Sequence, residues 1–293
     1  LVLDVDGTFL KTDLLFESFW AGLGRAPLAT LGAVARHWRH PARLKAELVA
    51  VASPRVDLMP VNPEIAQLVI DERQRGREVI LASASDQSLV GQLSTHYGLS
   101  EPVFASDGVT NLKAEAKAKA LVAAFGDGGF DYAGNSRADF PVWACSDAAI
   151  VVDYPVAARR LAAEGKTVAA FGTGWTWRAL FKTIRPHQWV KNILLLLPMI
   201  AAHRFDVATL VPVLFGMVAF SAAASSIYLV NDLLDLEADR LHPTKCNRPL
   251  ASGALPINVG MATFAVLALV ALGIAAALNW AFFALLLLYV VTS

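Results

Sequence analysis

The chain has 293 residues with 25 basic and 25 acidic side chains, so its net charge is zero and no nucleic-acid footprint is expected. Hydrophobic residues make up 56% and charged residues 17%, against roughly 45–50% and about 25% in soluble domains, which points to a membrane. The charge is uneven. Residues 1–186 alternate like a soluble α/β protein, and residues 187–293 are mainly Leu, Ala, Val, Ile and Phe. Cys145 and Cys246 match no metal or redox spacing and read as reduced thiols. The chain opens on a polar-ended strand rather than a signal peptide, lacks an initial Met and stops within an apolar run, so a segment of a longer protein is expected.

The first element, "LVLDVDGT", is an apolar strand followed by Asp4 and Asp6. A period of two puts both acids on one side of the strand end. One can attack a phosphorus while the other shuttles a proton, with a divalent cation cancelling their repulsion. A strand ending in an ordinary Asp-Gly turn is the plainer alternative. The stretch from about 12 to 75 has helical periodicity, as in "FESFWAGLG" and "RLKAELVAVA". "EVILASASD" (78–86) is a second buried strand carrying Ser83, a hydroxyl suited to a phosphate oxygen. "NLKAEAKAKAL" opens a helix with Lys113 and Lys117, either of which could pair with a phosphate and the first aspartate. "FDYAGNSRADFPVW" is a third strand that runs into a loop with Asn135 and Asp139, and "AIVVDYP" is a further strand end.

An acid pair, a hydroxyl, a lysine and a late acidic loop, each at a strand's C-terminal end, fall where open α/β sheets bind ligands. The set resembles the haloacid dehalogenase (HAD) phosphatase superfamily over roughly residues 1–172. The resemblance implies a Rossmann-like α/β domain with a small helical cap at about 12–75. It implies Asp4 as nucleophile, Asp6 as acid/base, Ser83 as the second-motif hydroxyl and Lys117 as the third-motif lysine. It also implies Mg²⁺ held by Asp4, Asp6, Asn135 and Asp139. One departure stands out. The fourth motif of that family usually begins Gly-Asp, and here Asn135 follows Gly134. An amide oxygen is a weaker ligand for a hard cation than a carboxylate.

Beyond Gly172-Thr173-Gly174, read as a hinge, residues 173–189 mix Trp175, Trp177, Phe181 and Trp189 with Arg178, Lys182 and Arg185, and Lys191 follows directly. Aromatic and basic side chains together suit a helix lying in the headgroup region. Apolar spans are expected at roughly 190–203, 207–230, 257–278 and 279–292. Basic residues precede the first span and recur at 240–248. The positive-inside rule therefore expects the N-terminal domain and the 231–256 loop in the cytosol.

The second span runs into "NDLLDLEADRLHPTKCNRPLASG" (231–253). On a continuous helix Asp232, Asp235 and Asp239 form one stripe with Asn231 beside it, and Glu237 points away. Three carboxylates on one stripe suit a cation that carries a diphosphate, with Lys245 and Arg248 in the following loop to meet phosphate oxygens not covered by the metal. A solvated acidic helix end is the alternative, though acids there oppose the helix dipole. Asn231, Asp232, Asp235 and Asp239 followed by "NRPLASG" resemble the UbiA superfamily of intramembrane prenyltransferases. "RPHQWVKN" (185–192) and "DRLHPTKCNRP" (239–249) are similar to the branch that includes decaprenyl-phosphate phosphoribosyltransferase. The resemblance covers about 185–293 and implies part of an all-α transmembrane bundle. By it, Asn231, Asp232, Asp235 and Asp239 hold Mg²⁺ on a diphosphate, Lys191, Lys245 and Arg248 bind substrate, and a polyprenyl lipid is the partner. The family's second acidic motif is expected beyond residue 293.

Overall fold

The computed structural model describes every residue except Thr173 and Ser293. The chain divides into two compact units, residues 1–175 with 240–243 and residues 176–239 with 244–293.

The first unit is built on β1 (Val2–Leu3), which is followed by α1 (Leu14–Arg25), α2 (Pro27–His37), α3 (Pro41–Val51) and α4 (Pro63–Gln74). Then come β2 (Ile80–Asp86), α5 (Gln87–Tyr97), β3 (Phe104–Ser106), α6 (Glu115–Phe125), β4 (Tyr132–Gly134) and α7 (Phe140–Cys145). The unit ends with β5 (Ala148–Val152), α8 (Pro155–Ala163) and β6 (Thr167–Phe171). The strands form one parallel sheet in the order β3-β2-β1-β4-β5-β6.

Alternation along the strands sorts side chains to the two faces. Leu3, Leu81, Ile150 and Val152 join Ile65 and Val69 of α4 and Leu89, Val90 and Leu93 of α5 in one core. Val2, Ala82, Ala149 and Val151 join Ala118 and Leu121 of α6, Trp143 of α7 and Leu161 of α8 in the other. The result is a three-layer, Rossmann-like α/β domain. The strand order turns back on either side of β1, so the ends of β1, β2 and β4 form the crevice where such sheets place their ligands. The cap expected over about 12–75 is narrower. Helices α1 to α3 form it, whereas α4 packs on the sheet as the crossover into β2.

The second unit begins with α9 (Trp177–Ile184) and a 3₁₀ segment, Pro186–Leu196. It continues with α10 (Leu197–Ala201), α11 (Val207–Leu234), α12 (Leu236–Leu241), α13 (Ile257–Leu278) and α14 (Trp280–Thr292). Among the described residues α11 and α13 are long and apolar enough to cross a membrane. At 1.5 Å per residue the 28 residues of α11 reach about 42 Å. They meet through small side chains, Ala219, Ala222 and Ala223 against Ala271 and Ala275, which allow close backbone approach.

Two expectations are corrected. The span at 190–203 is not one α-helix, because the Pro186 and Pro198 rings each restart the backbone and leave a 3₁₀ turn run and a five-residue helix. The interfacial helix expected across 173–189 is limited to Trp177–Ile184 and ends where Arg185 takes a left-handed φ of +56°. The hinge ahead of it includes Thr173, which lies outside the described residues.

Candidate functional sites

In the α/β unit, residues far apart in sequence meet at the end of β1. The Lys117 ammonium lies 2.7 Å from Asp4 Oδ1, and the Thr8 hydroxyl donates to Asp4 Oδ2 at 3.3 Å. Asp6 Oδ1 accepts from the Leu14 amide at 2.7 Å. Its Oδ2 accepts from the Ser85 hydroxyl at 2.6 Å and from Ser83 at 3.2 Å. Lys117 also donates to the Tyr132 hydroxyl at 2.9 Å, which in turn donates to Asp139 at 2.8 Å. Asp139 further accepts from the amides of Asn135 and Ser136 and from the Ser136 hydroxyl. Gly7 is required here. Its φ is +73°, and a Cβ would stand 2.1 Å from the Asn135 amide nitrogen.

Burial raises the pKa of Asp4, against the pull of Lys117, and burial with the nearby Asp13 raises that of Asp6. Burial draws Lys117 down, but Asp4 and Asp139 outweigh it and the net shift is upward. Lys45 of α3 reaches into the same crevice and donates to the Ala84 carbonyl at 2.5 Å, and burial lowers its pKa. The sign of the stability effect follows. With both aspartates raised, the folded unit binds more protons than the unfolded chain between the ordinary carboxylate range and neutrality. Its stability should therefore fall as pH rises through that window. Thermal unfolding followed across that range should show a midpoint that drops toward neutral pH, and a flat or rising midpoint would contradict the burial of these groups.

Of the expected magnesium set, Asp4 Oδ2 and Asp6 Oδ1 each accept a single hydrogen bond and keep a lone pair for a cation. Asp139 is turned onto its own loop and Tyr132. Among the described residues no three His, Cys, Asp or Glu side chains stand together as a metal site.

In the helical unit the acids split. Helix α11 stops at Leu234 and Asp235 caps it, so the continuous stripe drawn for Asp232, Asp235 and Asp239 is interrupted. Asp232 and Asp239 are buried and share Arg248, whose Nη1 lies 3.0 Å from the first and 2.7 Å from the second. Arg185 holds both oxygens of Asp232 at 2.6 and 2.8 Å while its guanidinium lies 5.0 Å from the Tyr228 ring centroid. Lys245 is 3.9 Å from Asp239. Asp235 and Asn231 are exposed, and their side chains have no hydrogen-bond or ion-pair partner among the described residues.

The "RPHQWVKN" segment docks along α11. Arg185 meets Asp232, the Trp189 indole donates to Ser225 at 2.9 Å, and the Asn192 amide donates to Ser221 at 2.7 Å. Lys191, between them, is exposed and unpaired among the described residues. Ser85, Lys45 and Tyr132 in the first unit and Arg185 in the second were not singled out as site residues from sequence. Only Arg185 carried a signal, its place at the head of that segment.

An α/β unit with a crevice lined by aspartates and a lysine and an apolar helical unit with a basic–acidic cluster define a two-part protein. Residues 193–293 match the model of the UbiA prenyltransferase family. The chain is 32% identical over 283 residues to uncharacterized protein y4nM of Sinorhizobium fredii, covering 95% of this chain and 54% of that protein. It is 50% identical over 98 residues to decaprenyl-phosphate phosphoribosyltransferase of Corynebacterium glutamicum, covering 32% of this chain and 29% of that enzyme. The chain therefore spans about half, or less, of the length of these curated relatives. Of solved structures, an apo phosphoserine phosphatase is similar at 13% identity over 58% of this chain and 91% of its own, with a TM-score of 0.39.

Proposed function

We propose that the helical unit transfers phosphoribose from phosphoribosyl pyrophosphate to a polyprenyl phosphate, and that the α/β unit acts on a phosphate ester. The observation that carries the transferase reading is the cluster in which Arg248 bridges buried Asp232 and Asp239 while Arg185 grips Asp232. Paired guanidinium groups held by buried carboxylates are preorganised to receive phosphate oxygens in forked geometry. Lys245 adds a point charge at the same place, and exposed Lys191 supplies another on the 3₁₀ segment. The donor chemistry at Asp235 and Asn231 fits a magnesium ion, which takes one or two carboxylates together with substrate oxygens. When bound there, with Asp232 and Asp239 behind it, the ion would neutralise the departing diphosphate.

The basic residues before the first apolar run and at 240–248 favour a cytosolic location for the α/β unit and the acidic loop, with α11 and α13 in the inner membrane. In the α/β unit, Asp4 is the nucleophile, held by Lys117. Asp6 is the acid/base, oriented by Ser83, Ser85 and the Leu14 amide. Removal of a sugar phosphate there would give the fusion its chemical logic.

Whole protein supplied with labelled phosphoribosyl pyrophosphate and polyprenyl phosphate should place label in the lipid phase. Lipid free of pentose, with turnover instead of an aromatic acid and a prenyl diphosphate, would favour an aromatic-acceptor prenyltransferase. A second reading of the α/β unit, a scaffold without turnover, is favoured by Asn135 and by the occupied oxygens of Asp139. Asn135→Asp separates the two. It should change phosphate release little in an active unit and raise it from background in a scaffold, as measured on a small phosphate ester.

A further inference from the structure

Between Glu17 and Glu47 the chain holds no acid, yet it carries Arg25, Arg36, Arg39, Arg43 and Lys45 with His37 and His40. This stretch forms most of the cap. Helix α2 buries Thr30 and Ala33 on its inner side. On its outer side Leu28 is 85% exposed, Leu31 53% and Trp38, directly after the helix, 63%. With exposed Ala35 these positions fall within about 80° of one another on a helical projection, a single apolar line.

Single exposed apolar residues need no explanation, but a line of them beside exposed arginines does. The Arg39 guanidinium lies 4.6 Å from the Trp38 ring centroid, so the charge accompanies the aromatic. Arg39 and Arg43 are exposed and form no ion pair among the described residues, and Arg36, paired with Glu47, keeps its side chain 63% exposed. Leucines and a tryptophan flanked by arginines, with no acid in the helix itself, is the composition of a helix that lies in a membrane interface.

The same chain carries two helices able to cross a bilayer, so a lipid surface is at high effective concentration for this unit. An acidic protein partner would satisfy the arginines, but it gives no reason for a tryptophan at the end of the leucine line. We propose that α2 rests on an anionic bilayer surface, with Leu28, Leu31 and Trp38 at the headgroup–acyl boundary and Arg36, Arg39 and Arg43 against anionic headgroups. The contact asks nothing of the chemistry at Asp4 or Asp235.

The test uses the whole chain in lipid nanodiscs, with Cys145→Ser and Cys246→Ser, and a nitroxide placed by Leu28→Cys, Leu31→Cys or, as reference, exposed Lys119→Cys. In discs rich in phosphatidylglycerol the labels at 28 and 31 should be several-fold more accessible to oxygen than to a water-soluble nickel chelate, and the label at 119 should show the reverse. The preference at 28 and 31 should weaken in phosphatidylcholine discs. Labels at 28 and 31 that behave like the one at 119 would overturn the proposal, as would dipolar broadening that places a second copy on α2. Should the cysteine replacements prevent folding, brominated lipid serves in the native-cysteine protein. Part of its tryptophan quenching should disappear on Trp38→Phe, and unchanged quenching would overturn the proposal.

Discussion

Asp235→Ala should lower transfer by about 10²–10³-fold, the scale for removing one preorganised charge-stabilising group, while leaving the thermal midpoint unchanged. Asp235 is exposed, and its side chain has no partner among the described residues, so the fold loses nothing when it is cut back. Asp232 and Asp239 behave differently. Each is buried and held by Arg248; losing Asp232 strips Arg185 of its carboxylate, and losing Asp239 leaves Arg248 on Asp232 alone. Breaking a fully buried pair costs about 3–5 kcal/mol, and with the arginine side chains 21% and 28% exposed the loss here is smaller. Asp232→Ala and Asp239→Ala should therefore lose both transfer and stability, and Glu237→Ala should keep transfer. Transfer and thermal midpoint measured on the same four variants decide the matter. Loss of stability in Asp235→Ala, or full transfer by it, would contradict this division of labour.

Asp4→Asn should abolish phosphate release by the α/β unit, a loss of at least about 10³-fold for a removed nucleophile. Asp4 sits at the end of β1, where its Oδ1 contacts Lys117 and its Oδ2 takes only a long 3.3 Å bond from Thr8. Burial opposes its ionisation and the ammonium favours it, so the lysine sustains the attacking form. The asparagine keeps the shape but cannot attack phosphorus. Phosphate release from a small ester is the readout, with transfer measured in parallel as the control. Equal release by the variant would mean that another group does the chemistry, or that the crevice binds without turnover.

Strands β1, β2, β4 and β5 were legible as apolar runs ending in polar residues, whereas the edge strands β3 and β6 were not marked out. Asp4, Asp6, Ser83 and Lys117 could be drawn together because a doubly wound sheet brings strand ends to one edge. Ser85 and Lys45 could not. Which hydroxyl of "SAS" reaches Asp6, and whether a cap lysine folds inward, depends on packing rather than on spacing. Tyr132 was hidden for a related reason. An aromatic residue in a strand reads as core, and only its neighbours show that the hydroxyl joins Lys117 to Asp139.

In the helical unit, apolar length alone located α11 and α13. The stop at Asp235 was not legible, because acids at positions 232, 235 and 239 fit an unbroken helix equally well. Two half-buried arginines hold the buried acids. Arg248 returns from beyond the loop to bridge Asp232 and Asp239, and Asp235 is left outside that bridge.

The most direct measurement uses phosphoribosyl pyrophosphate labelled with carbon in the ribose and with phosphorus in the 5-phosphate, incubated with whole protein and a polyprenyl phosphate. Carbon label should enter the lipid phase, then persist there while the phosphorus label is released as inorganic phosphate. With Asp4→Asn both labels should stay in the lipid. No carbon label in the lipid from the unmodified protein would contradict the transfer assigned to the Arg185, Asp232, Asp239 and Arg248 cluster.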